Sequence, residues 1–470
     1  MTLTPTDPAT HTVAHDGALP DAARLAAFAL NLERDDMPSD VRERARQMLA
    51  DSVAVSLFGS RLPWSRSLRA QAEATSPSGA SEVIGVIGPR LEPGAAALVN
   101  AAAAHAFEMD CLRKPGAGTH PGAVLTAAGL AAAQAANRSG AEFIDAVVAG
   151  GEVMGRLGLA LRRTSEEIGF HAPGITGVFG AAATAGRLLG LDQAQLTNAF
   201  GIAGSLCGGL MVFSSGRGGG MVKRLHLGRA AQSGVFAAQL AARSYEGPPN
   251  VFEGHHGVLD VYANNADANE LTAQFGRRWE AQYLCMKSFP CHITAHGPIY
   301  ALRALREQHD LAITDIAHIA VRASQAVLDK HNVRTPPDLG SAQYSVPYCL
   351  AVDLHRDLDD PTRFDESVLD DKAIAATAAD VELSVLPKTL EAGQAWTAEV
   401  SVRRHDGETV SVLLDDFPGS PTSPFDGWAL RNKFRNVTQL ANADELFDAL
   451  MNIEQRTDVR GLIGEFVSAS

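Results

Sequence analysis

Trp396-Thr397-Ala398-Glu399-Val400-Ser401-Val402-Arg403-Arg404-His405-Asp406-Gly407-Glu408-Thr409-Val410-Ser411-Val412-Leu413-Leu414 reads as two strands and the turn between them. Trp396, Ala398, Val400 and Val402 alternate with polar residues, the period of a strand with one buried face. Asp406-Gly407 has the chemistry of a tight hairpin turn, and residues 409–414 form the returning strand. The stretch is decisive because most of the chain has a different period.

Working back from the hairpin, residues 381–385 and 316–321 also read as strands. Before about residue 283 the pattern is helical. Ser39-Asp40 opens a helix that carries Val41, Ala45, Met48, Leu49, Val53 and Leu57 on one face, and Gly59 follows its end. Further helices are expected over 93–106, 123–136, 140–161, 174–189, 194–207 and 225–242, separated by glycine and proline. After the hairpin, helix is expected again over 428–440, 443–451 and 459–466. The fold class is therefore mainly α. A large all-helical domain (residues 20–282 plus 421–470) carries an inserted, smaller α+β lid domain (283–420). A polar N-terminal tail, 1–19, is expected to be mobile.

A chain of 470 residues is long enough for two such domains. Its formal net charge of −14 argues against a nucleic-acid partner, which needs a basic face. A small anionic substrate is still allowed, since a pocket needs only a few local cations. The five cysteines, Cys111, Cys207, Cys285, Cys291 and Cys349, are odd in number and irregular in spacing. They fit a reducing, cytoplasmic setting better than a disulfide framework or a zinc knuckle. The N-terminal residues lack the basic start and apolar run of a signal peptide. No stretch reads as a membrane span.

Several familiar motifs fail on inspection. Gly216-Arg217-Gly218-Gly219-Gly220 is glycine-rich but lacks the order of a phosphate loop. There is no nucleophile-elbow serine. His292 and His296 have helical metal-ligand spacing, yet no third ligand is evident, so the expectation is no metal. No flavin, nicotinamide or pyridoxal phosphate site is evident either, and the expected cofactor is none.

Four clusters do have the makings of chemistry: Thr119-His120-Pro121-Gly122, Gly169-Phe170-His171, Lys223-Arg224-Leu225-His226 and Lys287-Ser288-Phe289-Pro290-Cys291-His292. Each alone has an ordinary structural explanation, such as a helix cap or a core histidine. Lys287, however, precedes an apolar Phe-Pro-Cys run, where an unpaired ammonium is costly and an anion would relieve it. Removing a proton next to a carboxylate adds charge to an anionic group. Fixed cations stabilise that charge, and an imidazole can move the proton.

At these same residues the sequence resembles the MmgE/PrpD family. Residues 169–177 (GFHAPGITG), 223–231 (KRLHLGRAA), 287–292 (KSFPCH) with His296, and 343–348 (QYSVPY) are similar to ordered family segments. The likeness runs over nearly the whole chain. It implies a helical domain with an α+β lid, a homodimer, and a site between the domains lined by His120, His171, Lys223, Lys287 and Tyr348. His120 would transfer the proton. Lys223, Lys287 and His171 would hold substrate carboxylates, and Tyr348 would position the substrate. The family's H-x-x-D-[FY]-[DN]-D-T segment reads here His105-Ala106-Phe107-Glu108-Met109-Asp110-Cys111-Leu112. Asp110 keeps an acid and joins the catalytic set. Glu108, His226, His292 and the cations Arg113 and Lys114 are candidates for substrate binding. The implied activity is a lyase, a dehydratase or decarboxylase of a small di- or tricarboxylic acid. The alternatives are an epimerase or isomerase using the same deprotonation, and a non-catalytic carboxylate-binding homologue.

Overall fold

The computed structural model describes residues 19–76, 78–215, 219–387 and 396–467. The expected tail, apart from Leu19, lies outside the described residues, as do Gly216, Arg217 and Gly218 of the glycine-rich run. Helix makes up 58% of the chain and strand 8%, which places it in the mainly α class.

The helical part comprises α1 (Asp21–Asn31), α2 (Ser39–Gly59), α3 (Pro63–Thr75), α4 (Pro93–Ala104), α5 (Pro121–Ala135), α6 (Gly140–Ala160), α7 (Thr164–Ile168), α8 (Pro173–Leu189), α9 (Gln193–Gly204), α10 (Val222–Ala241) and α11 (Val258–Tyr262). Local chemistry sets many of their starts. Proline occupies the first turn of α4, α5 and α8, where no backbone N–H is missed. Ser139 with Glu142, and Asp192 with Gln195, form capping boxes at α6 and α9. The alanine and glycine richness serves close packing. A Cβ on Gly234 of α10 would lie 2.4 Å from the Ala181 Cβ and 2.6 Å from the Val178 carbonyl of α8. These two helices therefore cross almost backbone to backbone, and they form the floor on which the site is built.

Two short strands follow the chain order, β1 (Leu112–Arg113) and β2 (Leu284–Cys285), and they pair antiparallel. The smaller part carries α12 (His296–Gln308), α13 (Gln325–His331), α14 (Leu339–Tyr344), α15 (Val346–His355) and α16 (Lys372–Asp380). Its strands are β3 (Ile316–Ala323), β4 (Val381–Val385), β5 (Ala398–Arg404) and β6 (Thr409–Leu414), arranged β4-β3-β5-β6. The hairpin joins β5 and β6 with Val402 opposite Val410, and β3 and β4 run parallel. Val400 and Val402 are fully buried, as the alternation requires.

The chain then returns through α17 (Gly427–Thr438) and α18 (Ala443–Met451), which pack on α2. The helix expected over 459–466 is shorter, α19 (Gly464–Val467), because Gly461 takes a left-handed turn at φ 77°. The return is pinned by Lys433 of α17, whose ammonium pairs with the buried Asp51 carboxylate of α2 and donates to the Met109 carbonyl at 3.1 Å. Lys433→Met is expected to leave Asp51 buried without a counter-charge. The loss should be about 3–5 kcal/mol in urea unfolding, whereas a merely superficial pair would lose less than about 1 kcal/mol.

Candidate active site

The segment between α4 and α5 brings most of the chemistry together. His105 caps the C-terminus of α4 and His120 precedes the first turn of α5. Between them Glu108 holds a left-handed backbone at φ 57°, a conformation unfavourable for a residue with a β-carbon. β1 then pairs with β2, and β2 leads into Lys287. The ribbon thus couples the 105–120 segment to the Lys287 segment. Gln343 ties in a third segment, donating to the Pro290 carbonyl at 2.9 Å and the Phe107 carbonyl at 3.4 Å.

Glu108 lies between two ammonium groups. One carboxylate oxygen pairs with Lys223, from the first turn of α10, and the other accepts from Lys287 at 3.1 Å. Lys223 also donates to the Tyr344 hydroxyl at 2.8 Å. All three charged side chains are buried. Burial alone would raise the Glu108 pKa, but Lys223 and Lys287, with His105 and Arg224, outweigh it and hold the carboxyl well below its usual range. Two ammonium groups against one carboxylate leave a single net positive charge. The anion that Lys287 was expected to need is supplied, in this state, by the protein.

Asp110 makes the second centre. Its Oδ2 accepts from His105 Nδ1 and from His120 Nδ1, each at 2.9 Å. Burial pushes the Asp110 pKa up, but the two histidines overturn that and keep it ionised. An ionised carboxylate only accepts, so both imidazoles carry their proton on Nδ1 and leave Nε2 as the lone-pair nitrogen. His105 is wholly enclosed, and burial lowers its pKa to about 4 despite Asp110. The His120 side chain keeps 15% of its surface, which makes it the accessible imidazole of the pair. The rings of His105 and His120 meet edge to face at 4.8 Å, and His171 stands 6.1 Å from His105. His105, Asp110 and His120 also place three ligand-type atoms within 4.8 Å of one another. The 2.9 Å spacings are those of N–H donors on a carboxylate.

His171 sits just before α8, its backbone N–H donating to the Gly209 carbonyl at 2.9 Å. Its Nδ1 lies 3.2 Å from His226 Nδ1 of α10. Burial, then Lys223 and His105, lower the His171 pKa well below the usual histidine value, so it is neutral near pH 7.

The structure thus gathers Glu108, Asp110, His120, His171, Lys223 and Lys287 into one cluster. His226 and His292 stand behind it. His226 backs His171, while His292 stacks on His331 at 4.3 Å and packs on Tyr344 at 4.7 Å. Three expected residues are placed elsewhere. The Tyr348 hydroxyl donates to the Val368 carbonyl at 2.6 Å within the core. Arg113 pairs with the buried Glu280 at 2.7 Å and lies over the Tyr283 ring. The Lys114 ammonium sits 3.6 Å from the Trp396 ring centre, where burial lowers its pKa to about 7. Both side chains are thus buried, and Arg113 lines a cavity together with Thr119, Pro121 and Glu280. His296 accepts from the Ser288 and Phe289 backbone N–H groups, which makes it a support for the Lys287 turn.

Two residues of the cluster were not singled out from sequence. Tyr344 stands in the same Gln-Tyr-Ser-x-Pro-Tyr segment as Tyr348, four residues earlier. His105 heads the departing acidic segment, and its spacing to Asp110 was the available signal.

With that geometry in hand, comparison with known proteins is informative. A model of the MmgE/PrpD N-terminal domain matches residues 23–271, and one of the MmgE/PrpD C-terminal domain matches residues 289–454. A cis-aconitate decarboxylase of Aspergillus terreus (strain NIH 2624 / FGSC A1156) is 29% identical over 472 residues, 94% of each chain. The cis-aconitate decarboxylase of Mus musculus is 27% identical, over 93% of this chain and 90% of its own. That of Homo sapiens is 28% identical, over 89% and 88%.

Proposed function

The chain belongs to the MmgE/PrpD family, and from that membership we propose that it is a lyase, a decarboxylase of a small unsaturated polycarboxylic acid of the cis-aconitate type. Support comes from relatives of that name over nearly the full length of both chains. The observation that carries the reading is the pairing of centres: an imidazole oriented by the ionised Asp110, beside two lysines with one net positive charge.

The chemistry follows from the charges. Lys223 and Lys287 retain N–H donors beyond those given to Glu108, and these receive the carboxylates that stay on the substrate. The carbon–carbon bond to the departing carboxylate breaks and carbon dioxide leaves. The electron pair passes into the conjugated framework, where the ammonium groups stabilise the added charge without reorganisation of water. His120, protonated on both nitrogens for this step and held by the Asp110 charge, delivers its Nε2 proton to carbon. One proton is taken from solvent per turnover, which restores the imidazolium.

The test is proton NMR in deuterium oxide with the purified full chain and cis-aconitate, beside other di- and tricarboxylic acids. A product one carboxyl shorter carrying one solvent deuterium supports the reading. Deuterium entering an intact acid would favour isomerase chemistry. A folded protein that alters none of the acids would overturn the proposal. Because Arg113 and Lys114 are engaged elsewhere, Arg113→Ala and Lys114→Ala are expected to leave KM within about 3-fold. Arg113→Ala should instead lower unfolding stability by about 1–3 kcal/mol, since among the described residues the Glu280 carboxylate then keeps only Arg278.

A further inference from the structure

We infer that His226 is a positioning residue that fixes the tautomer of His171, making His171 a hydrogen-bond donor to a substrate carboxylate. The inference rests on the reading of the site given above and deepens it. His226 was expected to touch substrate. In the structure its Nδ1 lies 3.2 Å from His171 Nδ1.

Two nitrogens at that distance share one proton, so one ring donates and the other accepts. Which one donates decides what His171 offers from its other nitrogen. If His226 Nδ1–H donates, His171 must carry its proton on Nε2 and present an N–H. If His171 donates, its Nε2 is a bare lone pair. A polycarboxylate presents only acceptors, so a bare Nε2 would face the substrate's oxygen lone pairs with its own. The donor arrangement is the complementary one.

The surroundings of His226 favour that role. Its own helix brings Lys223 one turn earlier, and Phe213 packs edge-on against both rings, 5.7 Å from His226 and 5.1 Å from His171. Gly209 comes so close that a Cβ there would lie 2.9 Å from His226 Nδ1. This contact holds the ring plane while the Gly209 carbonyl holds the His171 backbone. Among the described residues no carboxylate bonds to His226, and burial, then Lys223, lower its pKa. The pair is accordingly neutral and shares a single proton. His226 is only partly buried, so its bare Nε2 can accept from water. The site then orients two imidazoles in opposite senses. Asp110 leaves His120 a lone pair on Nε2, and His226 leaves His171 an N–H on Nε2.

The experiment needs no turnover for its first arm. Long-range nitrogen–proton correlation on histidine-labelled full chain should show His171 with Nε2 protonated and Nδ1 bare. The reverse pattern would overturn the inference even if the protein is a decarboxylase. In the second arm, His226→Leu should raise KM by roughly 10- to 100-fold with kcat changed less than about 3-fold, the loss of one hydrogen bond to a charged group. His226→Gln, which retains an N–H donor, should recover most of that. Unchanged KM in folded His226→Leu would also overturn the inference. Wild-type protein inert toward every acid, with the expected His171 tautomer, would count against the decarboxylase reading alone.

Discussion

Asp110→Asn is expected to fold like the parent and to lose about four orders of magnitude in kcat, the scale seen when an imidazole-orienting aspartate becomes an amide. Asp110 does two things at once. Its Oδ2 fixes both Nδ1 protons, so that His120 offers Nε2 to the reaction, and its charge stabilises the imidazolium. An asparagine fails at one or both. With its oxygen toward the histidines it keeps the tautomers but has no charge. With its NH₂ toward them it demands a bare Nδ1 and so forbids the doubly protonated imidazolium that delivers the proton. The site is enclosed, so water does not make good the deficit. His120→Ala should fall about as far, and the double variant no further, because the two act as a unit. Steady-state decarboxylation of the three variants, with circular dichroism as a folding control, makes the check. An Asp110→Asn enzyme within about 10-fold of wild type would remove Asp110 from the mechanism.

Much of the candidate site's clustering was legible from sequence, and the residues placed apart from it are there for identifiable reasons. The hairpin at Asp406-Gly407 and the strands at 381–385 and 409–414 were readable because turn chemistry and alternation are local. Lys223, Lys287, His120 and His171 were readable because their clusters, each ordinary alone, coincide with the segments that carry the family resemblance. Tyr348 was chosen because the family resemblance places it at the last tyrosine of the Gln-Tyr-Ser-x-Pro-Tyr segment. The helix actually breaks at Ser345, whose backbone is extended and whose hydroxyl accepts from the Tyr348 N–H. The break leaves Tyr344 facing Lys223 and sends Tyr348 into the core. Arg113 and Lys114 looked like added substrate cations because they directly follow the departing acidic segment, and their partners are remote. Glu280 is 167 residues away, and Trp396 belongs to the edge of the β5–β6 hairpin. No local pattern reports such a contact.

Glu108→Gln is expected to separate the structural demand of the lysine pair from its catalytic one. In the parent the carboxylate is buried, and its pKa is held well below the 4.5 of a free glutamate by the surrounding cations. A folded pKa below the unfolded value means that the group contributes stability above the unfolded pKa and loses it as pH falls toward the folded value. At pH 7 the contribution is therefore fully present. Glutamine removes it and leaves two buried ammonium groups with no counter-charge, a loss of about 3–5 kcal/mol. Urea unfolding of parent and variant should differ by that amount at pH 7, and the gap should narrow as pH falls below about 4. A polycarboxylate can replace the missing charge, because the lysines that lose Glu108 are the ones proposed to receive substrate. Citrate or cis-aconitate at saturating concentration should therefore raise the urea midpoint of Glu108→Gln more than that of the parent. Equal stability of the two proteins at pH 7 would mean that the lysines do not depend on Glu108. The full stability gap at pH 7 without any gain from polycarboxylate would place the Lys223–Glu108–Lys287 cluster in the scaffold and leave substrate capture to His120 and His171.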